Sequence, residues 1–148
     1  MTITEVKPHH LNSIESIEKD CFSMPWTRKE LENQMNATSC IFLAAEDEDG
    51  AVMGYIGLMF VLDEGYISNV AVAHEYRRRG VADALITALI ERTKKNLAFL
   101  TLEVRESNIP AISLYEKHGF KLVGLRKNYY EKPKENALLM TLFFNTVE

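Results

Sequence analysis

No uninterrupted apolar run in this chain approaches the ~18 residues that a membrane helix requires, so no bilayer span is expected. Cysteine is scarce. Cys21 and Cys40 fall in no C-x-x-C or Cys/His spacing, which offers neither a disulfide framework nor a zinc motif and leaves them as reduced packing residues. His9, His10, His74 and His118 sit at no ligand spacing either, so no metal is expected. Positive charge is not in excess: 17 Lys and Arg against 21 Asp and Glu leave a formal net charge of -4. That balance counts against a general nucleic-acid binder, whose phosphate contacts need clustered cations, and leaves a basic peptide open as a partner. The segment Met1 to Glu5 has no basic stretch followed by an apolar one, so a secretory signal is not expected and the cytoplasm is. At 148 residues, 47% hydrophobic and 26% charged, the chain suits one domain over 1–148 with a core of its own.

What is present is a regular alternation of strand and helix signals. Ile3 to Val6 reads as a short strand ended by Pro8. Leu11, Ile14, Ile17 and Cys21 recur at helical spacing, with Asn12, Glu15, Ser16 and Lys19 facing out. Thr27 and Glu30 form a capping box for a second helix, and Trp26 with Leu31 is placed to staple its entrance. Cys40 to Glu46 and Ala51 to Val61 read as strands around the turn Asp47-Glu48-Asp49-Gly50, whose acidic tip is most simply a solvated hairpin end. Gly54 and Gly57 in the second of these signal a bulge or a close backbone approach. Asp63-Glu64-Gly65 then turns the chain into a strand from Tyr66 to Val72.

After a turn through His74, Glu75 and Tyr76, a helix with the apolar stripe Val81, Leu85, Ile86, Leu89 and Ile90 runs to about Asn96. Ala98 to Val104 is the next strand, completing a β-α-β unit that should cross over right-handedly. Pro110 to Lys117 reads as a shorter helix, capped by Ser107 or Asn108 and ended by Gly119. Phe120 to Val123 is a strand, Arg126 to Asn136 a loop, and Ala137 to Phe144 the last strand. The fold class is α/β.

Between the strand at Val72 and the long helix lies Arg77-Arg78-Arg79-Gly80-Val81-Ala82. The first N–H groups of a helix lack intrahelical partners and sit at the positive end of its dipole. A turn with little side-chain bulk, such as Gly80 and Ala82 supply, can hold a pyrophosphate there. Taken alone, R-x-x-G-x-A is more often a solvated turn. The segment lacks the Lys and Ser/Thr of a Walker A loop and the three glycines of a dinucleotide fingerprint.

A carboxylate late in an otherwise apolar strand, Leu100-Thr101-Leu102-Glu103-Val104-Arg105, calls for a partner or a task, because desolvation disfavours its charge. Glu103 is either paired with an arginine such as Arg105 or Arg126, or a general base for an amine. An α-amine, with an ordinary pKa of ~7.7–8.0, must lose its proton before it attacks a thioester.

These stretches together resemble the GNAT acetyltransferase superfamily. Its coenzyme A loop has the form Q/R-x-x-G-x-G/A, here Arg77 to Ala82, and its N-x-x-A-x-x-L-Y-x-x-x-G-F run is filled by Asn108, Ala111, Leu114, Tyr115, Gly119 and Phe120. The resemblance implies a mixed, mostly antiparallel sheet of six to seven strands with a splayed parallel pair, flanked by about four helices. It implies acetyl-CoA as cosubstrate in the gap, with Val70, Ala71 and Val72 along it, the Val72 N–H on the thioester carbonyl, and the loop Arg77, Arg78, Arg79, Gly80, Val81 and Ala82 on the pyrophosphate. Asn108 would touch the pantetheine arm, and Tyr115 would lie near the sulfur and protonate the departing thiolate.

Within the superfamily the chain is most similar to bacterial enzymes that acetylate the N-terminal alanine of a small-subunit ribosomal protein. Pro25-Trp26, Leu102 to Arg105, the Asn108 to Phe120 run, and Arg126-Lys127-Asn128-Tyr129-Tyr130 followed by Ala137-Leu138-Leu139-Met140 carry that likeness. It implies Glu103 as base, Tyr115 as acid, and the loop of Tyr129 and Tyr130 as part of a peptide groove, against simple packing of that loop; Trp26, by its place at a helix entrance, is a further candidate to wall a substrate groove, its plainer task being the staple. Asn136 stands where these enzymes often have an acidic residue, and Ala82 where the loop often ends in Gly. The implied partner is a protein N-terminus, with no nucleic acid or membrane, and a monomer or weak dimer. Rival readings are a GNAT enzyme acting on a small-molecule amine or a lysine side chain, and an acyl-CoA-binding module, which would have no use for Glu103 and Tyr115.

Overall fold

Buried residues run along both sides of the central strands, so the sheet must be covered on two faces. In the computed structural model, which describes residues 1–144, it has seven strands in the order β1-β2-β3-β4-β5-β7-β6. These are β1 (Thr2–Glu5), β2 (Cys40–Glu46), β3 (Val52–Val61), β4 (Glu64–Val72), β5 (Phe99–Arg105), β6 (Lys121–Glu131) and β7 (Lys134–Phe143). The helices are α1 (Leu11–Cys21), α2 (Arg28–Asn36), α3 (Val81–Thr93) and α4 (Ile109–Lys117). The domain expected over 1–148 is thus described as far as Phe144, and its last four residues lie outside the described ones. No helix among the described residues is long and apolar enough to cross a membrane.

Two cores result. Leu11, Ile14 and Ile17 of α1 and Leu31 of α2 pack on Phe42, Ala44, Tyr55 and Ala71, with Trp26 against them, as its place in the staple requires. On the opposite face Val81, Leu85, Ile86 and Leu89 of α3 and Tyr115 of α4 cover Ile56, Ile67, Leu100, Leu102 and Met140. The capping box is formed in both directions: Glu30 N–H donates to Thr27 Oγ1 at 3.1 Å and Thr27 N–H to Glu30 Oε1 at 2.9 Å.

Every neighbouring pair of strands is antiparallel except β4 and β5, and that pair is short. It is held through Glu64↔Phe99, Gly65↔Leu100 and Tyr66↔Thr101 alone, while both strands continue beyond. Where the pairing stops, the β3–β4 register slips: Leu58 opposes Ile67 but Gly57 opposes Asn69, leaving Ser68 as a bulge. A bulge increases local twist and bends its strand, which carries β4 away from β5. A Cβ at Gly57 would lie 2.0 Å from Gln34 Nε2 and 2.2 Å from Asn69 Oδ1, so the glycine permits α2 to close over the bulge.

The segment Arg126 to Asn136, expected as a loop, is instead the end of β6, a Lys132-Pro133 turn and the start of β7, paired through Tyr130↔Glu135 and Glu131↔Lys134. Its alternation is hidden because β6 is an edge strand, which tolerates charge on both sides, and because its register shifts between Arg126 and Tyr130. Similarly, β4 begins at Glu64, ahead of the expected Tyr66, because Leu62, at φ 56°, makes the turn.

Candidate active site

The turn before α3 has two residues with left-handed backbone, Arg78 at φ 65° and Gly80 at φ 76°. Gly80 is the N-cap, and the first backbone bond of the helix runs from Ala84 N–H to its carbonyl, so the N–H groups of Val81, Ala82 and Asp83 are unpaired within the helix. A Cβ built on Gly80 would meet nothing within 4 Å. The glycine therefore answers to the backbone angle and to the open space above the helix end, not to packing. This cradle fits a pyrophosphate. The three arginines are not equivalent. Arg77 turns back, donating from Nε to the Val72 carbonyl at 3.3 Å and from Nη2 to Cys21 Sγ at 3.4 Å, and Arg79 lies over the Tyr76 ring at 5.5 Å. Gly80→Val is expected to cost ~1–2 kcal/mol through its left-handed backbone and to crowd this space. Kinetics should show the KM for acetyl-CoA rising by about tenfold with the acceptor KM steady.

Beyond Tyr66, the edge of β4 facing β5 is open. Ala73 N–H donates to the Met53 carbonyl at 2.9 Å, so the alternation of the strand turns the backbone of Ala71 towards β3 and that of Val70 and Val72 towards the gap. The Val72 carbonyl, reached by Arg77, confirms that direction.

Across the gap, β5 carries Leu100, Leu102 and Val104 into the core under α3 and α4, and the intervening Thr101, Glu103 and Arg105 onto the other face. Glu103 is not enclosed: its side chain is 28% exposed, and Arg126 Nε donates to its Oε2 at 3.1 Å. Of the two arginines weighed as its partner, Arg126 has the role. Arg105 instead holds the β6–β7 turn.

Tyr115 comes from α4, 6% exposed and packed on Phe120 with ring centroids 5.6 Å apart. Its hydroxyl has no hydrogen-bond partner among the described residues. Burial, with the nearby Tyr130, pushes its pKa up to about 12, so it holds its proton at neutral pH. Tyr130 is likewise pushed up to about 12, chiefly by burial, with Tyr129 and Glu103 adding to the effect and Arg105 opposing it. One neighbourhood thus joins Glu103, Arg105, Tyr115 and Tyr130. Asn108 is the N-cap of α4, accepting from Ala111 N–H at 3.3 Å through Oδ1, which leaves its amide donors free.

The sequence reading passed over Glu18. It lies 1% exposed on the inner face of α1, accepting from Tyr55 OH at 2.5 Å and from the Trp26 backbone N–H at 2.8 Å. The signal was there, since Glu18 falls in step with Leu11, Ile14 and Cys21. Through it the α1–α2 loop, with Trp26, is anchored to β3. That loop also meets the β6–β7 turn, where Ser23 Oγ donates to the Lys132 carbonyl. Asp47, expected as part of a solvated tip, instead accepts from Tyr76 OH at 2.8 Å as well as from its own turn. His9, His10 and Glu46 cluster, a grouping that linear spacing concealed. Lys7 N–H donates to His10 Nδ1 at 2.9 Å, so the proton of that ring is on Nε2, 2.6 Å from Glu46, and neither nitrogen offers a free lone pair.

A sheet split along a parallel pair, a helix N-terminus ready for phosphate at the same end, and a carboxylate and a protonated phenol around the split define an acyl-coenzyme A-dependent N-acyltransferase. The chain belongs to the Acetyltransferase (GNAT) family, whose family model matches residues 11–120. It is 34% identical over 144 residues to the ribosomal protein bS18-alanine N-acetyltransferase of Escherichia coli, covering 95% of this chain and 96% of that protein. Its structure is similar to a crystal structure of the ribosomal-protein-alanine N-acetyltransferase from the same organism, with a TM-score of 0.91, 31% identity, and 99% and 96% of the two chains covered. Ard1 from Thermoplasma volcanium is similar at a TM-score of 0.88 and 28% identity, with 97% of each chain covered.

Proposed function

We propose that this protein transfers the acetyl group of acetyl-CoA to the N-terminal α-amine of a protein, with the N-terminal alanine of a small-subunit ribosomal protein as acceptor. The observation that carries the reading is the break in β4–β5 pairing after Tyr66 and Thr101, beyond which the backbone groups of the two strands have no partner in each other. Likeness to alanine N-acetyltransferases of ribosomal protein bS18 over nearly the whole chain supports the acceptor.

Acetyl-CoA supplies a thioester already activated for attack, so the chain needs to bind, orient and move protons. The N–H groups at Gly80 to Asp83 hold the pyrophosphate, and Asn108 meets the pantetheine arm with its free amide. The Val72 N–H, turned into the gap, stabilises the carbonyl oxygen as negative charge gathers on it. Glu103 takes the proton of the incoming ammonium on the α1/α2 face, and Tyr115 gives its phenolic proton to the leaving thiolate from the α3/α4 side. Trp26, Tyr129 and Tyr130 flank the acceptor chain.

The test is acetyl-CoA-dependent thiol release with peptides bearing a free Ala, Ser or Met N-terminus, the same peptides N-blocked but carrying lysine, and spermidine. Release with the free Ala peptide, and none with the blocked peptides or spermidine, is expected. Turnover confined to spermidine or lysine would overturn the acceptor, and silence with every amine would overturn the transferase.

A further inference from the structure

Arg105 ends β5 on the same face as Glu103, and its guanidinium binds the β6–β7 turn at several points. Nη1 donates to the Pro133 carbonyl at 2.8 Å and Nη2 to the Lys132 carbonyl at 3.2 Å. Nη1 also meets Glu135 Oε1 at 3.2 Å, with the two side chains only 26% and 17% exposed, and the plane lies over the Tyr130 ring at 4.2 Å. Glu135 is held from its other oxygen by Ser107 N–H at 2.6 Å, and Ser107, with Arg105 on the other side, draws its pKa below the usual carboxylate range. The Lys132 carbonyl that accepts from Arg105 also accepts from Ser23 of the α1–α2 loop. One side chain two residues from the base therefore fixes the hairpin that carries Tyr129 and Tyr130, and through a shared carbonyl joins it to the loop that carries Trp26.

We propose that Arg105 is a positioning residue for the acceptor peptide: it sets the spacing between the β6–β7 hairpin and the α1–α2 loop, and with it the groove that aims an α-amine at Glu103. The assignment rests on the acceptor reading above. A planar fork of donors can satisfy two adjacent carbonyls and a carboxylate while stacking on a ring; an ammonium, a point charge without a π face, cannot. Lysine at this position keeps the charge and loses the geometry. A hairpin clamp with only a structural task would affect folding, or both substrates alike. A positioning role weakens the acceptor far more than the coenzyme, because the pyrophosphate cradle at Gly80 is built from a different turn and Asn108 is held as the cap of α4 by Ala111 N–H and not by the Arg105 side chain.

Arg105→Lys and Arg105→Met can be compared with wild type by calorimetric titration of coenzyme A, and of a conjugate in which an Ala-peptide α-amine is joined through an acetyl bridge to the coenzyme sulfur. Steady-state KM values for peptide and for acetyl-CoA complete the comparison. Coenzyme A affinity is expected to stay within about twofold, while the extra affinity contributed by the peptide falls by about tenfold in Arg105→Lys, with the peptide KM rising in parallel. Glu135→Gln, which leaves the arginine in place, should lose part of the same gain. Arg105→Lys retaining the full gain, or losing coenzyme A affinity to the same extent, overturns the assignment. Wild type showing no gain from the peptide overturns the acceptor reading and this assignment with it. Should Arg105→Met fail to fold, Arg105→Lys and Glu135→Gln decide.

Discussion

Glu103→Gln is expected to lower kcat for a free α-amine by about 10²–10⁴-fold while acetyl-CoA binds as before. The substitution keeps volume and leaves an amide oxygen for Arg126, so the ion pair becomes a hydrogen bond from a charged guanidinium to a neutral amide and β5 is undisturbed. What is lost is the ability to accept a proton. Because Glu103 lies on the α1/α2 face and the proposed coenzyme cradle is the turn before α3, binding of acetyl-CoA should not report the change. Tyr115→Phe should reduce kcat by a comparable factor for the opposite reason, removing the proton that, in the proposed mechanism, the thiolate takes as it leaves. With its pKa pushed up to about 12, Tyr115 stays protonated across the working range, so an alkaline fall in kcat below about pH 11 would have to come from another group. Stopped-flow turnover alongside equilibrium binding distinguishes these outcomes from a folding defect. Wild-type kcat in both variants would remove the two residues from the chemistry.

The order of elements could be read from the sequence because each carries a local signal: the Thr27–Glu30 box, the stripe from Val81 to Ile90, the turn at Asp47 to Gly50. The splay could not be derived from such signals. It depends on Ser68 being skipped in the β3–β4 register, and neither Gly57 nor Ser68 announces which side of the pair carries the extra residue. For Glu103 the strand pattern calls for a partner or a task and leaves two arginines open; Arg126, from the edge strand, is the one that reaches it, a choice that only the β6 register makes. That edge strand was itself cut short, since Arg126-Lys127-Asn128 has no apolar alternation and Asn128, at φ 54°, belongs to the bulge. Motif residues such as Gly80 and Asn108 were identifiable because a helix end constrains its first turn locally. Trp26, Tyr129 and Tyr130 could be named as groove candidates, but the contacts that tie their segments together could not, because Arg105, Ser23 and Glu18 find their partners far along the chain.

Glu18→Ala should be the most destabilising of these changes. The carboxyl accepts from Tyr55, which is fully buried in β3, and from the Trp26 N–H; without it the phenol is left with no acceptor in a closed core. Two stranded donors at ~1–3 kcal/mol each, together with the cavity left by the side chain, put the loss at about 3–5 kcal/mol. For a chain of this size that is a fall in melting temperature of roughly 8–15 °C. Desolvation and the neighbouring Glu18 raise the Tyr55 pKa, so the phenol keeps its proton and must find an acceptor at any pH near neutrality. Glu18→Ala combined with Tyr55→Phe should recover part of the loss, because removing both partners leaves nothing unsatisfied, and additive losses in the double variant would contradict the account. The functional consequence separates packing from groove geometry. Trp26 sits at the far end of this bond, so peptide KM should rise in Glu18→Ala at temperatures well below its melting point, with acetyl-CoA KM unchanged, and the fluorescence of the single tryptophan should shift towards that of an exposed indole. Unchanged peptide KM and fluorescence would confine Glu18 to the core, and the α1–α2 loop would then owe its position to the Thr27–Glu30 box and the Ser23 contact alone.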